Sequence, residues 1–154
     1  MSSFLDRLRY VFISPEIVGL VIPFAVYASF PTLYDVLVKP MKENFGFGLG
    51  ATALPVGMLV FNFNQSYDML SLKGRSKILI EWPDYSILKE RVIASFVWCV
   101  IGALTCIAAV WMVAIDKLPQ LGVAMMVGGI LASAIATATI ALARFSLREI
   151  IGED

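Results

Sequence analysis

The chain has 154 residues, of which 59% are hydrophobic and 16% charged, and it has no histidine. Soluble domains have about half of their residues apolar and about a quarter charged, so this composition indicates an integral membrane protein. The 12 basic and 12 acidic side chains cancel, which leaves no positive field for nucleic acid, and the missing histidine removes the commonest general base and metal ligand.

Residues 2–13 place apolar side chains on one helical face and charged side chains off it. This pattern predicts a short helix in the membrane interface, although it also fits a frayed start of the first span. A helix begins at residues 14–16, where Ser, Pro and Glu supply a cap, a proline at the first position and an acid near the positive helix end. The first span is predicted at 17–37, with a kink or break at Pro23 or Pro31.

The second span is predicted at 45–63, and its first residues are rich in glycine. No strand precedes them and no Lys-Ser or Lys-Thr pair follows, so a nucleotide-binding loop is excluded and close helix packing is expected. Polar side chains collect where this span ends, at Asn62, Asn64 and Gln65. They predict either a polar mouth with hydrogen bonds between helices or ordinary caps at the membrane interface. The second interpretation is favoured because it avoids burying amides.

The connection 64–91 is predicted to be cytoplasmic, and it combines basic with large apolar side chains. Basic residues beside a membrane can simply fix topology and contact anionic lipid, whereas an exposed apolar patch indicates a docking surface. We therefore expect a cytoplasmic protein partner to bind here. The predicted docking residues are Lys73, Arg75, Lys77, Ile78, Ile80, Trp82 and Tyr85.

Residues 92–115 form an uncharged third span that contains both cysteines, Cys99 and Cys106. Seven residues of helix rise about 10.5 Å, and this exceeds the Cα separation of about 7 Å at which a disulfide can form. Both thiols are therefore expected to fill space as small apolar groups. A tight turn at 116–119 then leads into the fourth span.

The fourth span, 118–143, is uncharged throughout and is longer than the about 20 residues that a bilayer core requires. Small residues at spacing four let membrane helices approach closely, so this span is expected to form the seam of a bundle or of an oligomer. Dry packing within one monomer is favoured over a pore lined by hydroxyls and glycines. One row of the seam is Ala124, Gly128, Ala132 and Ala136, and the adjacent row is Gly129, Ser133, Thr137 and Ala141.

Nine Lys and Arg residues lie in the two termini and the long connection, and three lie in the other two turns. This excess predicts that the termini and the connection are cytoplasmic. The sequence thus predicts an all-α, integral membrane four-helix bundle with a single domain, 1–154. No ionisable side chain falls at the centre of a span and no redox cysteine pair is present. We therefore expect neither an enzyme nor an ion-coupled transporter, and no cofactor or metal site.

Several features occur together along the chain: Ile22-Pro23-Phe24 in the first span, Gly48-Leu49-Gly50-Ala51-Thr52 opening the second, a basic loop after it, Pro119 before the fourth, and a short charged tail. This layout resembles the small four-span phage-exclusion membrane proteins of the RexB type, which implies ion channels that depolarise an infected cell. The layout is also similar to KwaA, the four-span subunit of the Kiwa defence system, which implies work with a cytoplasmic partner. The connection here is longer than in RexB, and a loop built for docking fits the KwaA resemblance better.

These observations predict an oligomeric subunit of a bacterial inner membrane that belongs to a defence or stress system. It would sense membrane perturbation or recruit a cytoplasmic effector, and it would open a pore in one version of this hypothesis. The expected partners are membrane lipid, further copies of the chain and a cytoplasmic protein, with no nucleic acid. One alternative is an immunity-type or accessory protein that binds another membrane protein, and a small-solute transporter ranks last.

Overall fold

The computed structural model describes residues 14–70 and 85–151, and throughout these two ranges the chain is helical with short connections and no strand. The predicted interfacial helix at 2–13 lies outside the described residues. The all-α class that the composition and periodicity predict is confirmed. The elements are α1 (Glu16–Ser29), a 3-10 helix (Pro31–Tyr34), α2 (Asp35–Glu43), α3 (Phe45–Leu70), α4 (Tyr85–Ala114) and α5 (Pro119–Ile151).

Three of these helices contain segments that are long and apolar enough to cross a membrane: Gly46–Tyr67, Tyr85–Ala114 and Pro119–Phe145. The membrane class of the protein is therefore supported by the helices as well as by the composition. A fourth candidate is the pair formed by α1 and the segment Pro31–Glu43, which bends by 114°.

The predicted first span is not one continuous helix. α1 has 14 residues, which is about 21 Å at 1.5 Å per residue and is shorter than a bilayer core. The break falls at Phe30 and Pro31, because the proline ring disfavours helical geometry in the residue before it, and Phe30 has φ −142° and ψ 66°. Pro23, the other candidate for a break, lies buried inside α1.

Tyr34 stabilises this bend. Its hydroxyl donates a hydrogen bond of 2.8 Å to the carbonyl oxygen of Pro23, and its ring contacts the ring of Tyr27 edge to face at a centroid distance of 6.3 Å. The segment after the break is thereby tied back onto α1.

We expect Tyr34→Phe to lower the free energy of unfolding by about 1 kcal/mol, because the variant keeps the ring contact but removes the buried hydrogen bond from the hydroxyl to the Pro23 carbonyl oxygen. The measurement is equilibrium denaturation in detergent micelles. Tyr27→Phe is the matched control, since it removes a hydroxyl from the other ring of the pair. Equal effects of the two substitutions would contradict the role assigned to the Tyr34 hydroxyl.

The long helices α4 and α5 form an antiparallel hairpin around a four-residue turn, 115–118, in which Asp116 and Leu118 have φ of 58° and 52°. The turn is held against the rest of the chain by an ion pair between Lys42 and Asp116. It is also held by a hydrogen bond of 3.0 Å from Gln120 to Asp35. α2 therefore lies at the turn end of the hairpin.

α3 is the least enclosed of the long helices. Only 17% of its apolar stretch is buried, compared with 44% for α4 and 50% for α5. It also extends seven residues beyond the predicted end of the second span. Helical structure continues to Leu70 and starts again at Tyr85, so both ends of the predicted connection 64–91 are helical.

Candidate functional site

The most unusual feature of the interior is a group of buried hydrogen-bonding side chains at the end of the bundle away from the 115–118 turn. α1, α3, α4 and α5 all contribute to it, and most of its members are almost fully enclosed. We call it the polar cluster. Its members are Ser14, Glu16, Asn62, Ser66, Ser95, Cys99, Ser133 and Thr137.

Glu16 is the ionisable member of the polar cluster, and 0% of it is exposed. Its carboxylate accepts a hydrogen bond from the hydroxyl of Ser14 and another, of 3.4 Å, from the hydroxyl of Ser95. Among the described residues, no Lys or Arg forms an ion pair with it. The carboxylate is thus enclosed with two neutral donors and without a described counter-charge.

Glu16 is buried because α1 starts alongside α4, inward from the open end of the α4–α5 hairpin. Its partner Ser95 is the eleventh residue of α4 and lies about 6 Å past Arg91, the last charged residue before the uncharged stretch. The expectation of neither an enzyme nor an ion-coupled transporter rests on the absence of an acid at the centre of a span. Glu16 lies at the start of α1 and not at such a centre. Its complete burial is nevertheless not expected from the sequence, where it has the position of an ordinary acid at a helix start.

Asn62 connects three helices inside the cluster. Its amide nitrogen donates to Sγ of Cys99 on α4 at 3.0 Å and to Oγ1 of Thr137 on α5 at 3.1 Å. Thr137 in turn donates to the carbonyl oxygen of Ser133 at 2.8 Å. The side-chain oxygen of Asn62 and the hydroxyl of Ser66, one helical turn further along α3, are buried without a hydrogen-bond partner among the described residues.

The three predicted polar-mouth residues do not come together. Asn62 is completely buried, Asn64 is exposed and Gln65 is half-buried. Successive helical residues are about 100° apart, so two residues separated by two positions face nearly opposite directions. The favoured interpretation of Asn62 as an interface cap is therefore wrong, since it forms the hydrogen bonds between helices that the alternative described.

The two small-residue rows of the fourth span lie mostly inside the chain's own helix packing. On the first row, a Cβ added at Gly128 would lie 3.1 Å from the carbonyl oxygen of Leu20 on α1. Gly19 of α1 is equally tight, since a Cβ there would lie 3.0 Å from the backbone nitrogen of Ala132. The remaining members of this row, Ala124 and Ala136, are fully buried.

The second row packs against α4 at even closer range. A Cβ at Gly129 would lie 2.6 Å from the carbonyl oxygen of Gly102, and a Cβ at Gly102 would lie 2.5 Å from that of Gly129. Ser133 is fully buried, Thr137 is half-buried and Ala141 is exposed. Most of these residues are therefore occupied by contacts between α4 and α5 and are not available to line a shared axis.

α3 has a third face of small residues, which is not part of the predicted seam. Gly46, Gly50, Ala53, Gly57 and Asn64 follow one another at spacings of four, three, four and seven, which places them on one helical face. All five are exposed. A Cβ added at Gly50 or Gly57 would have no neighbour within 4 Å. We call this the α3 outer face.

The predicted docking residues of the connection, Lys73 to Trp82, lie outside the described residues. Tyr85, the last of them, is the first residue of α4 and is half-buried. Both cysteines are buried and free, with Cys106 donating a weak hydrogen bond of 3.5 Å to the carbonyl oxygen of Met126. The described residues contain no group of three or more His, Cys, Asp and Glu side chains arranged to hold a metal ion.

Comparison of the chain with protein-family models, with curated proteins and with solved structures finds no match in any of the three. The resemblances to RexB and KwaA therefore stay predictions from the sequence. Two features of the molecule itself remain to be explained, namely the polar cluster and the α3 outer face.

Proposed function

We propose that the protein is a membrane subunit that assembles laterally with further copies of itself through the α3 outer face. In this proposal it serves a bacterial defence or stress system by recruiting a cytoplasmic partner. The observation that carries the assembly is the exposure of Gly50 and Gly57. Each glycine within a helix costs about 1 kcal/mol relative to alanine, and none of the described residues has an atom within 4 Å of a Cβ added at either position.

A second helix that packs closely against this face would explain glycines at such positions. Small residues let two backbones come into contact, and van der Waals packing stabilises that contact within lipid. Asn64 lies on the same face and exposes an amide with both donors and an acceptor. Across a two-fold axis the two amides can bond to each other, which satisfies them without water. A second copy of the chain is therefore the partner that this face fits best.

The proposed topology has four crossings, with both termini and the 71–84 connection on the cytoplasmic side. The broken pair contacts α4 near Ser95 at its start, through Glu16, and contacts Asp116 at its end, through Lys42. These contacts are 21 residues apart, which is about 31 Å along a helix and comparable with a bilayer core. This separation supports treating the pair as one bent crossing, and the Lys and Arg distribution supports the orientation.

Recruitment of a cytoplasmic effector rests on the basic and apolar composition of the connection, and the defence or stress role rests on the resemblances stated above. A pore lined by Gly129, Ser133 and Thr137 stays the less favoured version, as it was from the sequence. α4 and α5 would have to separate before these residues could face an axis shared by several copies of the chain.

The test is the oligomeric state of the purified chain in lipid nanodiscs and its exchange between labelled vesicles. We expect Gly57→Leu to raise the dissociation constant of the assembly at least about tenfold, which corresponds to about 1.4 kcal/mol. The added side chain would hold the two backbones apart while meeting nothing within its own chain.

Ala108→Leu is the matched control, because it adds similar bulk at an exposed position on α4 and should leave association unchanged. A wild-type chain that is strictly monomeric would contradict self-assembly. If the monomer instead bound another membrane protein and Gly57→Leu abolished that binding, the immunity-type or accessory alternative would replace the present proposal.

A further inference from the structure

The second feature, the polar cluster, points to a ligand. A carboxylate enclosed in a membrane bundle is costly unless a positive charge accompanies it. Glu16 is enclosed completely, and its described partners are two hydroxyls, which carry no charge. Among the described residues, no opposite charge is paired with this carboxylate.

Several neighbouring polar groups have oxygen lone pairs in addition to the hydrogen bonds that they donate. Ser95 bonds to Glu16, and one helical turn further along α4 Cys99 bonds to the amide of Asn62. The side-chain oxygen of Asn62 and the hydroxyl oxygen of Ser66 are buried without a hydrogen-bond partner among the described residues. A region that combines one carboxylate with unpartnered oxygen lone pairs attracts a hard cation.

We propose that Glu16, with the hydroxyls of Ser14 and Ser95, binds a sodium ion inside the helix bundle. A monovalent ion matches the single carboxylate, whereas Ca²⁺ and Mg²⁺ are usually held by several carboxylates or by substrate phosphates. Oxygen atoms are the ligands that such an ion prefers, and in the same cluster the side-chain oxygen of Asn62 is an amide acceptor without a partner among the described residues. The site uses residues that are separate from the α3 outer face.

A bound ion at this place would link four elements. Glu16 begins α1, Ser95 belongs to α4, and Asn62 connects α3 with both α4 and α5. Any ligand that binds the folded state and not the unfolded one raises its stability by mass action. Occupancy by sodium would therefore stabilise the whole bundle rather than one helix.

The experiment measures the melting temperature of the full chain in detergent, at constant ionic strength, as NaCl replaces choline chloride. We expect a saturable upward shift for the wild type and none for Glu16→Gln. Glu43→Gln, a change of the same kind at an exposed carboxylate, should respond as the wild type does. Equilibrium dialysis with radioactive sodium should show binding to the wild type that Glu16→Gln loses.

If Glu16→Gln does not fold, Ser95→Ala provides the second arm, and the midpoint of the sodium titration should move to higher concentration. Three results would overturn the proposal. They are a wild-type melting temperature that is indifferent to sodium, a melting temperature that responds to pH but not to sodium, and a sodium response that appears only after Arg7 or Arg9 is replaced by glutamine. The second would identify a protonated carboxyl group, and the third an arginine counter-charge.

Discussion

Gly129→Leu is expected to destroy the folded monomer, lowering the free energy of unfolding by at least about 3 kcal/mol. Even a Cβ at this position would lie 2.5 Å from the hydroxyl oxygen of Thr105 and 2.6 Å from the backbone oxygen of Gly102. Backbone atoms cannot move aside as a flexible side chain can, so α4 and α5 would have to separate. The measurement is unfolding monitored by tryptophan fluorescence and circular dichroism in detergent.

Gly50→Leu makes the same substitution at a helical glycine, and it serves as the control. Nothing lies within 4 Å of a Cβ there, so the monomer should keep its melting transition while its association weakens. Gly50→Ala should even stabilise the monomer, by about 0.5–1 kcal/mol, because alanine has the higher helix propensity. If Gly129→Leu left the monomer folded and affected only assembly, the close packing of α4 on α5 would be refuted.

Asn62→Asp should have an effect of similar size, with a loss of about 3 kcal/mol or a failure of the chain to insert stably. The substitution replaces the amide nitrogen that donates to Cys99 and Thr137 with an acceptor. It also places a second carboxylate beside Cys99, which lies one helical turn from Ser95, the residue whose hydroxyl bonds to Glu16. Like charges at such short range in a low dielectric repel strongly. Stability in detergent and the yield of membrane-inserted protein are the measurements.

Asn62→Leu separates the charge from the lost hydrogen bonds. Interhelical hydrogen bonds in membranes contribute on the order of 0.6 kcal/mol each, and leucine also removes the buried oxygen that has no described partner. In sodium-free buffer we therefore expect Asn62→Leu to cost about 1 kcal/mol or less. A severe effect of leucine together with a mild effect of aspartate would show that Asn62 is not enclosed as described.

The sequence predicted the class of the fold and the places where its helices come close, but not the partner at each place. Spacing-four rows in the fourth span identify residues that permit close approach, and such spacing is the same whether the neighbour is α4, α1 or a second copy. The partner is decided by contacts over a long sequence distance, such as Gly102 with Gly129. Local pattern carries no information about them.

The structure differs from the sequence-based predictions at two further places, and each difference has a specific cause. Asn62 and Asn64 are close in sequence, and only their positions around the helix show that one is buried and the other exposed. That signal was present in the 3.6-residue period. The burial of Glu16 carried no such local signal, because it depends on where α1 starts along α4, from which it is far apart in sequence.

The central claim is that Gly128 and Gly129 of α5 are packed inside one chain, whereas Gly50 and Gly57 of the α3 outer face are free to meet a second chain. Cysteine cross-linking in native membranes tests it most directly, with single cysteines placed along α3 and α5 in a chain that carries serine at 99 and alanine at 106. The account predicts covalent dimers from cysteines at positions 50, 57 and 64, and none from position 136. Dimers that form at position 136 but at no position along the α3 outer face would contradict it.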